Sequence, residues 1–457
     1  MKMRRNAVPW LLLAWATAGL SATLDPDVAG RWEVTTSFSG GTYVAGLELT
    51  ADGQQYTGRS GYLVPDVGPF PYQYTGTVQK DGLHLQIMAR SGGPAFGTLI
   101  LREKNGVLSG SGLLDGLPIA VAGRRPLPPP AVPRVITYEP KVYYRSYSGT
   151  NPPALRIFPG DTVRTTTVDA MGHDEHDVAV TMPGNPLTGP FYVEGAMVGD
   201  TIAVHFNKIR LSRDTAWQYR ASLPPGVVPP GYPQHRPKDW SDIWILDRTQ
   251  GTARPAKPSD KLKQFQVKLA PMLGSVGVAP IWDAVYNSAD LGRFGGNMDY
   301  NQIQEGITLY LPVYQAGALL VMGDGHAFQE DGEITGQGLE TSMDVEFTVA
   351  VLRDELFDQP WAENDQYIMV SGIGGSLPGA MQNATAGLSN WLISHYQLDS
   401  GEVATVLAAS IHYDIAEVVD PQTHIVAKIS KDALAQLPKM PRPKAVVCQG
   451  GDGCVFE

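Results

Sequence analysis

Five prolines, from Pro126 to Pro133 in the run Pro-Leu-Pro-Pro-Pro-Ala-Val-Pro, constrain the fold of this 457-residue chain more than any other feature. Proline fixes its own φ angle and lacks an amide hydrogen, so such a run favours a stiff, extended spacer. The sequence is therefore predicted to contain a small unit at residues 24–125, a linker at 126–136 and a larger unit at 137–457.

The first unit has the pattern of an all-β fold. Short β-rich runs, such as Trp32 to Val34 and Leu83 to Ile87, alternate with pairs that favour tight hairpin turns. Evenly spaced hairpins of this kind predict a small barrel or sandwich. We find no catalytic cluster in this unit, which favours a structural or substrate-guiding role. The turn pairs are Asp52-Gly53, Asp81-Gly82, Asn105-Gly106 and Asp115-Gly116.

The larger unit also favours strands, with one strong helix. Apolar residues recur at helical spacing from Leu377 to Ile393, and Ser376 is a suitable N-cap. A second helical stretch covers residues 402–410, and an apolar strand follows at 425–429. The expected fold class is α+β, predominantly β, with a small barrel or sandwich ahead of a larger β-rich domain.

The N-terminus predicts export. Lys2, Arg4 and Arg5 precede an apolar run at residues 7–20 and then small residues, which is the pattern of a signal peptide at residues 1–22. A buried N-terminal helix is the alternative. No later run reaches the length of a membrane span, so no integral membrane segment is expected after cleavage into the periplasm or medium. The two cysteines, Cys448 and Cys454, could form a disulfide, bind metal or remain free thiols.

The net charge of the chain limits the classes of molecule that it is expected to bind. The chain carries 35 Lys and Arg against 46 Asp and Glu, a net charge of −11. An acidic surface repels phosphate backbones, so nucleic acid is not expected as a partner. A small neutral substrate fits this charge better.

One segment, from Gly323 to Glu333, combines glycines with residues that can bind metal. The apolar run 318–322 is a strand candidate, which predicts that this segment begins at a strand end. His326 and the carboxylates around it provide the nitrogen and oxygen donors that suit Zn²⁺ or a similar ion. A surface loop of solvated charges is the alternative. The carboxylates are Asp324, Glu330, Asp331 and Glu333.

Two other segments share this glycine-rich, polar character. One includes Asp169 and then runs from Asn185 to Ala196, and the other is Gly-Gly-Asn-Met-Asp at residues 295–299. The cluster His-Asp-Glu-His at residues 173–176 also resembles a metal motif, but its polar surroundings favour a solvated loop. The sequence has no Gly-x-Ser-x-Gly nucleophile elbow and no His-Glu-x-x-His zinc helix.

These segments together resemble the acetamidase/formamidase family. The likeness covers Asn185 to Ala196, Gly-Gly-Asn-Met-Asp, and the loop Gly-Asp-Gly-His…Asp-Gly-Glu. It continues through residues 271–280, 363–369 and 377–421, so that it spans roughly residues 137–440 in family order. The chain differs from the family pattern at Tyr143-Tyr144, where many members have a His pair. Because of this difference, the resemblance does not specify the substrate. The likeness does not include the N-terminal unit or the cysteine tail.

The resemblance implies hydrolysis of the carbon–nitrogen bond of a small linear amide, with release of ammonia, at a divalent ion, zinc being expected. A carboxylate would move a proton from water to the departing nitrogen. The expected metal ligands are Asp169, Asp324 and His326. The expected catalytic residues are Glu194 as general base, Asn297 as a donor to the oxyanion, and Asp299 and Glu340 in support, also as alternative ligands.

Each assignment has a structural alternative that the sequence leaves open. Asp169 could cap a turn, Glu194 could pair with an arginine, His326 could be a satisfied loop histidine, and Asn297 could hold its turn. For the whole chain, the substrate could be a larger or carbamoyl-bearing amide. The rival function is a secreted binding protein on an inactive amidase fold, recognising a polysaccharide or wall component. We also expect a homo-oligomer.

Overall fold

The structure is a computed structural model that describes residues 28–61, 63–64, 68–69, 72–89, 91–219, 222–224, 226–233, 241–353 and 355–438. The expected signal peptide and both cysteines lie outside the described residues. Within the described part of the chain, no helix combines the length and apolar character needed to cross a membrane.

The N-terminal unit is a closed eight-stranded antiparallel barrel, so the predicted small all-β fold is confirmed. Its strands follow the chain in order except that the first closes against the last. The barrel consists of β1 (Gly30–Phe38), β2 (Gly41–Asp52), β3 (Gln55–Gly61), β6 (Tyr72–Gln79), β7 (Gly82–Ala89), β8 (Gly97–Lys104), β9 (Val107–Leu114) and β10 (Leu117–Arg124), with the short pair β4 (Leu63–Val64) and β5 (Gly68–Pro69) between β3 and β6.

Local turn chemistry explains the barrel hairpins. Asn105 and Gly106 both have positive φ angles, as do Asp115 and Gly116, and each pair joins two paired strands. A two-residue turn with positive φ at both positions matches the right-handed twist of the strands. Alternating apolar residues fill the interior around Trp32, whose indole N–H donates to the Val28 carbonyl at 2.9 Å.

The larger unit consists of two large stacked sheets, a short two-stranded sheet and helices on one side, which confirms the predicted α+β, predominantly β class. Its strands, in chain order, are β11 (Val135–Thr137), β12 (Ser146–Ser148), β13 (Leu155–Ile157), β14 (Thr162–Thr167), β15 (Leu187–Val193), β16 (Thr201–Leu211), β17 (Thr215–Trp217), β18 (Ile243–Asp247), β19 (Thr252–Pro255), β20 (Val267–Lys268), β21 (Met272–Gly277), β22 (Val285–Asn287), β23 (Leu291–Gly292), β24 (Gly295–Asn297), β25 (Thr308–Pro312), β26 (Leu320–His326), β27 (Glu340–Thr341), β28 (Met343–Leu352), β29 (Trp361–Glu363), β30 (Tyr367–Gly374), β31 (His412–Glu417) and β32 (Thr423–Ser430).

The first sheet has the order β11-β14-β28-β16-β25-β29-β30-β32-β31. The second has the order β20-β19-β18-β17-β27-β26-β21-β24-β23, and β15 joins it by pairing with β13 and β26. The main apolar core includes side chains from both sheets. A second core includes α1 (Leu377–Tyr396), α2 (Ser400–Ser410) and α3 (Lys431–Leu434) together with strands of the first sheet.

Helix α1 begins where the sequence predicted, and α2 begins two residues before the predicted stretch of residues 402–410. The Ser376 hydroxyl accepts from the Gly379 amide at 3.3 Å, so the predicted N-cap of α1 is confirmed. Helix α2 starts with a capping box, in which Asp399 and Glu402 each accept from the other's backbone amide. These caps satisfy amides that the first helical turn leaves without partners.

Buried polar contacts join the barrel to the larger unit. Arg31 of the barrel pairs with Asp200 at 2.9 Å, and the Tyr192 hydroxyl donates to Glu33 at 2.7 Å. Burial raises the pKa of Glu33. Because Tyr192 lies on β15, this joint connects the barrel to the sheet that carries the candidate site.

Candidate active site

Two adjacent strands bring three candidate ligands together. His326 on β26 lies directly opposite Glu340 on β27, and Asp324 is two residues before His326 on the same face of the sheet. The His326 Nε2 atom is 3.3 Å from Glu340 Oε1 and 3.6 Å from Asp324 Oδ1. All three residues are buried. The structure therefore brings together two of the three predicted metal ligands, with Glu340 as the third.

The position of Asp324 and His326 corrects one expectation. The sequence predicted that they lie in a loop beyond a strand end, whereas β26 continues through His326. Gly325 faces the Thr341 carbonyl and the Met343 side chain, where a Cβ would be too close. Here glycine permits close packing inside a strand, a use that a turn prediction overlooks.

Gln329 determines which ring nitrogen of His326 can bind a metal. The His326 Nδ1 atom is 2.7 Å from Gln329 Oε1, while the Gln329 Nε2 group donates to the Asp299 carbonyl at 2.6 Å. Because the amide nitrogen is used as a donor, its oxygen accepts, and Nδ1 must carry the hydrogen. In neutral His326 the Nε2 lone pair therefore points toward Asp324 and Glu340, in the arrangement typical of metal-binding histidines.

These three residues fit a divalent ion. Ligands about 2.1 Å from a tetrahedral ion lie roughly 3.4 Å from one another, and the measured separations bracket that value. His326 Nε2 and Glu340 Oε2 are buried atoms that have no hydrogen-bond partner. Burial raises the pKa of Glu340 to about 7, and the His326 imidazole opposes this shift. One imidazole and two carboxylates are donors that suit zinc.

A second group, formed by Asp299 and Glu333 with His326, lies next to the first. Asp299 Oδ1 is 3.9 Å from His326 Nδ1 and has no hydrogen-bond partner. Because Nδ1 donates to Gln329, the imidazole cannot bind an ion on this side in its neutral form. Burial raises the pKa of both carboxyls, and Glu333 raises that of Asp299 further. The structure thus provides a carboxylate pair beside the candidate metal centre.

Asn297 orients carboxylates, which corrects its predicted role as oxyanion donor. Its Nδ2 group donates to Asp299 Oδ2 at 2.7 Å and to Asp420 Oδ2 at 2.5 Å. Its Oδ1 atom accepts from Ser275 Oγ at 2.5 Å and from Asn185 Nδ2 at 3.2 Å. An amide nitrogen has two hydrogens, and both are engaged, so neither is available to a substrate oxygen.

Asp169 is next to the site, but its oxygens are already bound, which corrects its assignment as a ligand. Its Oδ1 accepts from the amides of Met171 and His173, and its Oδ2 accepts from Arg213 at 2.5 Å. Arg213 also donates to the Glu340 carbonyl at 3.4 Å. Asp169 therefore caps a turn and anchors the arginine that supports β27.

Glu194 lies far from the site, so its assignment as general base is wrong. Leu187 at the start of β15 is opposite Gly323, and the strand runs away from His326 toward Leu320. At about 3.3 Å per residue, Glu194 is roughly 20 Å from the ligand end of β15. Its two carboxylate oxygens pair with Arg156 at 2.5 Å and with Arg124 of the barrel at 3.5 Å.

Three residues that define the site were not predicted from the sequence, and a fourth, Glu333, was named only as one of several possible metal-binding carboxylates. Gln329 orients His326, Arg213 holds Asp169, Glu333 pairs with Asp299, and Asp420 binds Asn297. Gln329 and Glu333 lie within the segment that the sequence singled out, at three and seven residues after His326. No local signal identifies Arg213, because the groups that it binds at the site, Asp169 and the Glu340 carbonyl, are distant in sequence.

Two other segments that the sequence singled out, residues 173–176 and Tyr143-Tyr144, lie near the site but, within the part of the chain that the structure describes, do not form a metal-binding group. Residues 173–176 are part of a hairpin closed by a bridge between His173 and Ala179, and no metal-binding group of the described residues includes them. Tyr144 forms a bridge to Leu187, and Tyr143 lines a cavity of about 800 Å³ with Tyr138 and Asp174. Tyr144 is therefore joined by one β-bridge to β15, the strand that pairs with β26 of the site.

The fold of the larger unit is similar to crystal structures of acetamidases. A predicted acetamidase/formamidase from Thermoanaerobacter tengcongensis is 25% identical with a TM-score of 0.57, covering 66% of this chain and 98% of that one. An acetamidase from Bacillus halodurans is 25% identical with a TM-score of 0.55, covering 66% and 99%. An acetamidase from Yersinia enterocolitica is 26% identical with a TM-score of 0.57, covering 66% and 94%.

The chain belongs to the Acetamidase/Formamidase family. The family profile matches residues 138–290 and 290–389, more than half of the sequence. A formamidase from Methylophilus methylotrophus is 24% identical, and the alignment covers 44% of this chain and 62% of that protein. The chain thus spans less than two thirds of this curated relative, and the barrel precedes the residues that match the family profile.

Proposed function

We propose that this protein is an exported hydrolase that cleaves the carbon–nitrogen bond of a small linear amide and releases ammonia. Asp324, His326 and Glu340 would hold a divalent ion, for which zinc is the best match. The main support is His326, whose Nε2 lone pair is buried, without a hydrogen-bond partner, and directed at two carboxylates. Family membership supports amide hydrolysis over other uses of such an ion.

A bound divalent ion would supply a water of lowered pKa and would polarise the amide carbonyl. Asp299 is the best candidate for the group that accepts a proton. Its Oδ1 atom is buried beside His326 and has no partner, while Asn297 fixes its other oxygen at 2.7 Å. A carboxylate held by one oxygen and free at the other can accept a proton and return it to the departing nitrogen. A carboxylate oxygen of Glu333 lies within 4.8 Å of Asp299, and its charge raises the pKa of Asp299 further.

Burial keeps bulk water away from this chemistry. Asp299 and Glu340 are each 2% exposed or less, and Gly274 provides the space that the Asp299 and Asp324 carboxylates occupy. In a site of low dielectric constant, fixed dipoles and charges act more strongly on a reacting group than they do in water. The residues thus hold the ligands and the proton acceptor in one orientation before the substrate binds.

Export is proposed from the basic, apolar and small-residue pattern of residues 1–22. The mature chain should begin between Ala18 and Thr23, which intact mass of natively expressed protein measures. Retention of Met1 would contradict export. We also propose a homo-oligomer, since exposed apolar side chains such as Val178 and Met182 extend from the hairpin near the site. Light scattering should give more than the mass of one mature chain.

The proposed activity is tested with the purified mature chain. Metal analysis should find one or more divalent ions per chain, and incubation with a panel of primary amides should release ammonia. Removal of the ion with a chelator should stop release, and addition of zinc should restore it. A protein without bound metal that releases no ammonia from any amide would contradict the proposal and favour a binding function.

A further inference from the structure

The row of side chains that contains two candidate ligands continues onto an aromatic residue. His326 is opposite Glu340, and on the next strand Glu340 is opposite Trp217. Directly opposite residues of an antiparallel pair project from the same face, with Cβ atoms about 5 Å apart. The Trp217 indole is therefore the next side chain in the row after the candidate metal centre.

Two further rings extend this surface. The His173 ring stacks on Trp217 with centroids 5.9 Å apart, and Tyr219 stacks on its indole at 5.7 Å, with interplanar angles of 20° and 11°. The pKa of Tyr219 is raised to about 12, first by burial and then by the carboxylates of Asp169 and Glu340. The phenol thus lies within electrostatic range of the site. We call these three residues the aromatic row.

Polar contacts hold the aromatic row in place. The Trp217 indole N–H donates to Asp177 Oδ1 at 3.2 Å, and the His173 amide donates to Asp169 at 2.8 Å. Arg213 donates to the Asp174 carbonyl at 3.0 Å while it binds Asp169. The same arginine therefore supports both the hairpin that carries His173 and the strand that carries Glu340.

The rings do not belong to the apolar cores of the described residues. All three are half-buried, so each keeps part of its ring surface exposed next to a buried polar centre. Binding sites typically combine a few polar groups with aromatic surface of this kind, and a surface that is already ordered loses little entropy when a ligand binds. Formamide or acetamide is too small to cover this surface.

Building on the proposed hydrolase function, we propose that the aromatic row is an aryl subsite. The substrate class would be a primary amide whose acyl group carries a planar aromatic ring, such as an arylcarboxamide or arylacetamide. Trp217 is one strand spacing, about 4.8 Å, from Glu340. An arylacetamide, whose methylene group moves the ring away from the amide carbon, fits this spacing better than an arylcarboxamide does. The ring would pack against the part of the Trp217 indole that stays exposed, while the amide group reaches Asp324, His326 and Glu340.

The test compares acetamide with phenylacetamide, using ammonia release and calorimetric binding with the full mature chain. We expect phenylacetamide to have the higher kcat/KM. Trp217→Ala should lower the ratio of phenylacetamide to acetamide kcat/KM by about 10-fold, the effect of about 1.4 kcal/mol of stacking. The change should be mainly in KM. Trp217→Phe should keep the ratio within about threefold of the wild type, because a planar ring remains.

Tyr286→Ala is the matched control, because Tyr286 is exposed, stacks on Phe294 and lines a different cavity. This variant should leave kcat/KM unchanged for both acetamide and phenylacetamide. If Trp217→Ala lowers both activities equally, the aromatic row only supports the hairpin and the inference is wrong. If the protein hydrolyses acetamide but neither binds nor prefers phenylacetamide, the inference fails while the proposed function stands. If phenylacetamide binds in a Trp217-dependent manner and no amide is hydrolysed, the subsite stands and the proposed function fails.

Discussion

Replacing Gln329 by leucine tests whether this residue, through His326, prepares the candidate metal centre. The substitution keeps a similar volume but removes both the acceptor for His326 Nδ1 at 2.7 Å and the donor to the Asp299 carbonyl at 2.6 Å. Without the acceptor, the hydrogen of the imidazole can move to Nε2, which then cannot bind an ion. We expect zinc affinity to fall by about 10- to 100-fold, the usual effect of losing the group that orients a metal-binding histidine.

The same change should also lower the free energy of unfolding of the metal-free protein. Two buried hydrogen bonds are lost, and each leaves a partner unsatisfied at about 1–3 kcal/mol. The expected total is about 2–6 kcal/mol. Zinc affinity is measured by competition with a chromophoric chelator, and stability by urea unfolding in excess chelator. Gln359→Leu is the control, because Gln359 is a buried glutamine on a different apolar core, next to α1.

Two results would refute the reasoning. If Gln329→Leu lowers stability but leaves zinc affinity within about twofold of the wild type, Gln329 does not orient the ligand. If Gln359→Leu weakens zinc binding as much as Gln329→Leu does, the effect comes from general loosening of the fold. In either case the tautomer of His326 would have to be fixed by another group.

Four further predictions follow from named contacts. His326→Ala should remove bound metal and ammonia release together; full metal content measured by mass spectrometry would show that the ion binds elsewhere. Glu194→Gln should keep metal content and turnover within about twofold of the wild type. It should lower the unfolding free energy by about 1–3 kcal/mol, because it weakens a pairing with Arg156 at 2.5 Å. A large loss of turnover with full stability would show that Glu194 acts in catalysis. Gly274→Ala should abolish metal binding, because its Cβ would overlap two site carboxylates; normal metal content would contradict this. Burial lowers the pKa of His424 to about 4 from 6.5, so the unfolded state takes up a proton first and the unfolding free energy should fall by up to about 3 kcal/mol between pH 6.5 and pH 4. His424→Asn should flatten this part of the pH profile in urea unfolding, and an unchanged slope would show that His424 is not responsible.

The sequence by itself determined the features that depend on neighbouring residues. Asn105-Gly106 and Asp115-Gly116 specify tight hairpins because few other residue pairs tolerate two positive φ angles. Ser376 marks the start of α1 because its hydroxyl binds an amide three residues away. The segment around His326 was identified from its composition and family likeness, and it contains two of the three candidate metal ligands, Asp324 and His326.

Only the tertiary structure decided which of the candidate side chains meet. Glu340 joins the site because strand register places it opposite His326, and register depends on pairing between distant segments. Asp169 and Glu194 are excluded because arginines 44 and 38 residues away in sequence occupy their oxygens. A carboxylate in a sequence looks the same whether a cation or a metal will neutralise it. The fold determines which partner comes within reach, and this is why the sequence identified the family and the segment but not the complete ligand set.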